Sequence, residues 1–155
     1  MVTAKHRLRA AALFLLFAWV VAGVTNANAW FFGSAPTTLG TVATLVAVGA
    51  WPVVGWSMGR RALPGFIRLA TVSWMLVLIG TPLAYFPAKS TGGETPGTLV
   101  LALGYFALAG PLYGVSAILP SWEYWAQAVV IGVVVFAVTL VAYFGARTSG
   151  YAPRG

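Results

Sequence analysis

Few side chains in this sequence could carry acid–base or metal chemistry, because its 155 residues include two glutamates, one histidine and no cysteine. Catalysis by paired carboxylates would need Glu94 and Glu123 side by side, but the topology that we predict below puts them on opposite faces of a membrane. His6 alone cannot form a three-histidine zinc site or a bis-histidine haem site. No glycine-rich phosphate motif is present. We therefore predict a non-enzymatic chain without a metal or cofactor site.

Glu123 also has a simpler interpretation than a catalytic or coupling role. It stands at the predicted start of a helix, one turn before Gln127, where the helix dipole favours a carboxylate. No ionisable residue lies near the centre of any apolar segment. Channels and proton-coupled carriers usually keep such groups inside the membrane, so the sequence indicates neither class.

The composition identifies lipid as the solvent of this chain. Hydrophobic residues make up 60% of it and charged residues only 7%, whereas soluble domains carry about a quarter charged residues. The net charge of +7 would suggest nucleic acid in a soluble protein. Here the charges flank apolar runs, so we expect membrane lipids, including anionic headgroups, and no nucleic acid as partners.

A basic turn between two apolar runs predicts how the chain is oriented. Arg60 and Arg61 end one run, and Arg68 lies in the first turn of the next, from where it can snorkel to the interface. Because cytoplasmic loops are enriched in Lys and Arg, we predict the plasma membrane with the N-terminus inside.

The apolar runs predict an all-α integral membrane protein, a single bundle of about five transmembrane helices with short loops. The approximate spans are 10–32, 37–59, 65–86, 97–119 and 122–146, with an exposed polar loop at 88–96 and a loose tail at 148–155. Trp51 and Trp56 fall toward the cytoplasmic end of the second span, where we expect them at headgroup level.

The first segment allows two interpretations. A basic start, an apolar middle and an Ala-x-Ala ending at Ala27–Ala29 match a secretory signal peptide. The same residues also fit an uncleaved span that continues through Trp30 as an interfacial anchor. We favour the anchor and keep the signal peptide as the alternative.

The fourth segment leaves the topology open. It contains Gly104, Gly110–Pro111 and Gly114, so it is the helix most prone to break. Five crossings divide the Lys and Arg residues six inside to three outside; a re-entrant fourth segment makes it eight to one, which the charge rule prefers. A run of this length can cross the hydrocarbon core of about 30 Å, and on that ground we predict five crossings.

Two further patterns concern packing and ligands. Small residues that permit close helix approach recur at Gly55, Gly59, Gly110, Gly114 and Gly132. The aromatic residues are dense enough to line an apolar cleft beside the Gly110–Pro111 break. The candidates for such a cleft are Trp74, Tyr105, Gly110, Pro111 and Tyr113.

These observations favour a non-catalytic accessory or assembly subunit of a larger membrane complex, such as a respiratory or energy-transducing one, with other transmembrane subunits as partners. The alternative is a protein that binds or transports an apolar small molecule or lipid, such as a quinone or carotenoid, in an inter-helix cleft. The short predicted loops leave no room for a soluble catalytic domain in either case.

Overall fold

A computed structural model of the chain describes residues 3–90, 96–119 and 123–149. Helices α1, α2 and α3 are Ala4–Phe32, Thr38–Gly59 and Gly65–Ser90. They are followed by α4 (Pro96–Ala109), a 3-10 helix (Gly110–Ala117) and α5 (Tyr124–Ser149). Five apolar helical segments of the described chain are long enough to cross a membrane, with 22% to 39% of each apolar window buried. The predicted all-α membrane bundle is confirmed.

Local sequence signals explain where the first helices begin and end. The Thr3 and Thr37 side chains accept hydrogen bonds from His6 N and Gly40 N, which caps the start of α1 and α2. Gly33 ends α1 with a φ of 62°, a left-handed conformation that glycine adopts without strain. Because this cap ends α1, the chain can turn before α2 begins.

Several boundaries differ from the predicted spans. Helix α1 begins six residues before residue 10, and α3 continues to Ser90, into the predicted loop 88–96. Residues 91–95 of that loop lie outside the described residues, as do residues 150–155 of the predicted loose tail. Helix α5 runs to Ser149, and in its last turn the Thr148 hydroxyl donates to the Gly145 carbonyl at 2.9 Å. The predicted span 97–119 is helical only to Ala109 and then becomes 3-10 helix.

Helices α2 and α5 run parallel and touch through glycine. A Cβ atom at Gly55 would come within 3.0 Å of the Thr139 carbonyl oxygen, and one at Gly59 within 2.2 Å of that of Tyr143. The two contacts advance four residues together on both helices, which requires a parallel pair. The start of α5 therefore lies at the end of the bundle where α2 begins.

The fourth segment enters and leaves at one end of the bundle. The Lys89 ammonium lies 3.0 Å from Glu123, so the end of α3 adjoins the start of α5. The Tyr113 hydroxyl donates to the Ser34 carbonyl at 3.0 Å, which places the 3-10 helix beside the α1–α2 loop. Helix α4 has 14 residues, a length of about 21 Å. The predicted placement of Glu123 on the face opposite the end of the third span is wrong.

The ends of the bundle differ strongly in charge. We call one the cationic end; it holds the start of α1, the α2–α3 turn and the end of α5. Among the described residues, the Lys and Arg side chains at this end are Lys5, Arg7, Arg9, Arg60, Arg61, Arg68 and Arg147. In the same part of the chain, the opposite end has Lys89 alone.

Candidate functional site

A buried amide connects α1 to α2 at the level where the fourth segment reverses. The Asn26 side chain is fully buried, and its Nδ2 donates to Ala22 O (2.8 Å), Gly40 O (3.3 Å) and Thr44 Oγ1 (2.9 Å). The Thr44 hydroxyl in turn donates to the Pro111 carbonyl at 2.7 Å. A backbone carbonyl beside the break is thereby satisfied by a side chain of another helix, as apolar surroundings require.

The 3-10 helix approaches α2 at backbone distance. The Thr41 hydroxyl donates to Gly114 O at 3.1 Å. A Cβ atom at Gly114 would lie 2.5 Å from both Gly40 O and Thr44 Oγ1, so no larger residue fits without displacing the segment. Asn26, Thr41 and Thr44 therefore hold the reversing segment in place.

The fourth segment turns back midway along α1 and α3. Trp19 Nε1 donates to Ala107 O at 3.1 Å, and a Cβ atom at Gly80 would contact the Leu108 side chain at 2.6 Å. Between this level and the cationic end, no residue of α4 separates α1 from α3. The half-length helix leaves space between them toward the cationic end.

That space is a cavity of about 360 Å³, which we call the Trp cavity. Leu108 lies at the edge of the cavity nearest α4. Leu16 and Leu76, each 58% exposed, lie at its side toward lipid. Ser73 supplies the one hydroxyl group among the lining residues, and none of them is ionisable. The lining is Ala12, Leu15, Leu16, Trp19, Trp51, Leu69, Ser73, Trp74, Leu76, Val77 and Leu108.

Three indole rings form one wall of the Trp cavity. The Trp74 ring lies 5.9 Å from Trp19, edge to face, and 5.4 Å from Trp51, measured between centroids. The indole N–H groups of Trp51 and Trp74 are buried and have no hydrogen-bond partner in the described chain. Trp51 is only 6% exposed, so its ring packs inside the bundle, and its predicted place at headgroup level stays a prediction.

The other predicted cleft residues lie on the far side of the reversing segment. Tyr105 and Tyr113 surround Trp30 together with Tyr124, with ring centroids 4.8 to 5.3 Å from it. The Tyr124 hydroxyl donates to Ala109 O at the end of α4. Gly110 and Pro111 are buried in the reversal itself. Of the five predicted cleft residues, the structure places Trp74 in the Trp cavity.

Glu123 lies in an exposed polar cluster at the opposite end. It accepts hydrogen bonds from the Tyr85 hydroxyl and from Lys89 Nζ. The bond from Tyr85, then that from Lys89, lowers the pKa of the Glu123 carboxyl. The pKa of Lys89 is raised by its hydrogen bond to Tyr85 and then by that to Glu123. An ionised, paired carboxylate is a poor proton shuttle at neutral pH.

Potential metal ligands do not converge in the part of the chain that the structure describes. No group of three His, Cys, Asp or Glu side chains comes together there. His6 Nδ1 lies 2.7 Å from its own capping residue, Thr3. The predictions of no metal and no catalysis stay predictions.

Gly132, the remaining predicted packing residue, faces α3. A Cβ atom there would lie 2.9 Å from Leu78 and 3.5 Å from Trp74. The absence of a side chain lets α5 approach the back of the Trp74 ring.

Sequence reasoning missed Asn26, Thr44 and Trp19. Asn26 could have been noticed as an amide inside an apolar run, which is costly unless it is hydrogen-bonded. Trp19 and Thr44 carry no sequence signal that separates them from ordinary residues of a span.

The chain matches no protein-family model, and no curated protein or solved structure shows significant similarity to it. The candidate site therefore rests on the geometry described above.

Proposed function

We propose that this protein binds an apolar small molecule or lipid tail in the Trp cavity. The observation that carries the proposal is the volume of about 360 Å³ between α1 and α3, open on one side and lined mainly by aliphatic and indole side chains. Ligand sites in proteins begin at about 300 Å³ and are mostly apolar with a few polar groups. Access between Leu16 and Leu76 suits a molecule that arrives through the bilayer.

The Ser73 hydroxyl favours a ligand with a hydrogen-bond acceptor. It is the one hydroxyl group among the lining residues, and a carbonyl or ether oxygen of the ligand can accept from it. A quinone or an acyl ester offers such an oxygen, and a plain hydrocarbon does not.

The test is extraction of the purified protein with organic solvent, followed by mass spectrometry. We expect one apolar species in constant ratio to the protein. Ala12→Phe should fill the Trp cavity and lower that ratio at least several-fold. Leu13→Phe is the control, because Leu13 is 66% exposed and lies outside the lining. A clean extract from the unaltered protein, or equal loss in both variants, would contradict the proposal.

Membership in a larger complex, as an accessory or assembly subunit, stays a prediction. The outward apolar faces need only lipid to cover them. Its test is a mild-detergent pull-down from native membranes, in which a fixed set of partner subunits should be retained in constant ratio.

We also propose that the cationic end faces the cytoplasm of a plasma membrane. Seven of the eight described Lys and Arg residues lie at this end, which is the bias that the positive-inside rule predicts. The start of α1 and the end of α5 then both lie inside.

A further inference from the structure

A second concave site lies between α1 and α2 at the cationic end, which we call the arginine groove. Its volume is about 360 Å³. It shares no lining residue with the Trp cavity, so it is a separate site. The lining is Arg7, Ala10, Ala11, Phe14, Val53, Val54, Ser57, Met58 and Arg61.

Two guanidinium groups in this groove have no anionic partner in the described chain. Glu123 is the one carboxylate side chain among the described residues, and it pairs with Lys89 at the opposite end. Arg7 and Arg61 lie together on the groove, with further cations nearby at Arg9 and Arg60. Concentrated positive charge at the end of a membrane bundle attracts phosphate headgroups.

The groove changes from polar to apolar along the helix axis. Arg7 and Phe14 are separated by two turns of α1, about 10 Å. On α2 the order is the same, because Arg61 follows the helix end, Ser57 lies one turn deeper, and Val53 two turns deeper. This order suits a lipid headgroup at the charged mouth and an acyl chain along the apolar walls.

We propose that the arginine groove is a binding site for an anionic phospholipid. Its phosphate lies between Arg7 and Arg61, where guanidinium groups donate to phosphate oxygens in fixed geometry. Its acyl chain follows Ala10, Phe14 and Val53. The order of charge, hydroxyl and apolar wall matches that of a phospholipid from headgroup to tail.

The first experiment compares lipid binding by charge-matched variants. Delipidated protein is titrated with dioleoyl phosphatidylglycerol or phosphatidylcholine in detergent, and bound lipid is counted by native mass spectrometry. We expect selective binding of phosphatidylglycerol, weakened on the order of tenfold in Arg7→Gln/Arg61→Gln. Arg9→Gln/Arg60→Gln removes the same charge at the same end but leaves the groove intact, and it should bind like the unaltered protein. Equal weakening in both double variants, or none in the first, would overturn the site.

The second experiment tests the acyl chain with both arginines present. Ala10→Phe should fill the groove and weaken phosphatidylglycerol binding, whereas Leu13→Phe should not. Glycerol 3-phosphate supplies the headgroup chemistry without a tail, and we expect it to compete poorly even at high excess. Competition by glycerol 3-phosphate at the concentration of the lipid would show a simple phosphate site and contradict the proposal.

Discussion

The amide nitrogen of Asn26 lies 2.9 Å from the hydroxyl oxygen of Thr44, inside an otherwise apolar bundle. Because that hydroxyl in turn donates a hydrogen bond to the Pro111 carbonyl, one hydrogen-bonded chain joins α1, α2 and the reversing fourth segment. The reversal shortens α4, and the space between the end of α4 and the cationic end is the Trp cavity. The polar contact between Asn26 and Thr44 thus helps to keep the candidate site open.

Removal of the Thr44 hydroxyl should destabilise the bundle. Thr44→Val leaves the Pro111 carbonyl and the Asn26 amide short of a partner, at a cost of about 1 to 2 kcal/mol. The measurement is the midpoint of unfolding in a detergent titration. Thr25→Val is the control, since the Thr25 hydroxyl bonds only within its own helix, to Val21 and Ala22. Equal effects of the two changes would show that the link to Pro111 contributes nothing.

Replacing glycine by alanine should lower stability where the glycine touches a neighbouring helix and should not lower it elsewhere. Gly59→Ala places a Cβ atom against the Tyr143 carbonyl, and we expect a loss of about 1 to 3 kcal/mol from overpacking. Gly49→Ala meets no atom within 4 Å and should stabilise by up to about 1 kcal/mol, because alanine is the better helix former. Thermal unfolding in the same detergent measures both. A stable Gly59→Ala variant would refute the close α2–α5 contact.

The reversal of the fourth segment predicts on which side of the membrane the α1–α2 loop and the end of α5 lie. The chain has no cysteine, so single cysteines can be introduced at the exposed positions Ser34 and Ser149 without a background signal. We expect a membrane-impermeant maleimide to label Ser34→Cys in whole cells, and Ser149→Cys only after the membrane is opened. Five straight crossings would put both positions on one side, so labelling of both in whole cells would contradict the reversal.

The polar cluster at Glu123 predicts a loss of stability in acid. Its pKa is lowered in the folded protein, so its contribution is present above the ordinary value of 4.5 and is lost as the pH falls through the lowered pKa. For Lys89 the pKa is raised, so its contribution is present below 10.5 and is lost as the pH rises beyond the folded value. Both groups are exposed, so the effects should be small.

We therefore expect Glu123→Gln to flatten the fall of the unfolding midpoint as the pH drops below about 4.5. Tyr85→Phe should reduce this acid dependence more than Lys89→Gln does, because the Tyr85 bond is the larger cause of the lowered pKa. The acid dependence of Glu123→Gln provides the baseline for residues outside the cluster. An acid limb that is as steep in Glu123→Gln as in the unaltered protein would contradict the prediction.

Much of the candidate site could not be predicted from the sequence. Trp74 was singled out for its aromatic ring, but nothing in its spacing shows that Trp19 and Trp51 meet it from two other helices. Tyr105 and Tyr113 share the same residue type and yet lie around Trp30. Aromatic density indicates that a cleft is possible, and packing alone determines which rings share it.

The sequence by itself determined the solvent and the secondary structure of this protein. A chain with 60% hydrophobic residues and long apolar runs can satisfy its backbone in lipid only as helices or a closed barrel. Only the tertiary structure decided the path of the fourth segment. A break at Gly110–Pro111 permits either a kinked crossing or a reversal, because the freed carbonyls are costly until other helices satisfy them. The Thr41 and Thr44 hydroxyls provide those partners, and Asn26 donates to Thr44. These groups come together only in the folded bundle.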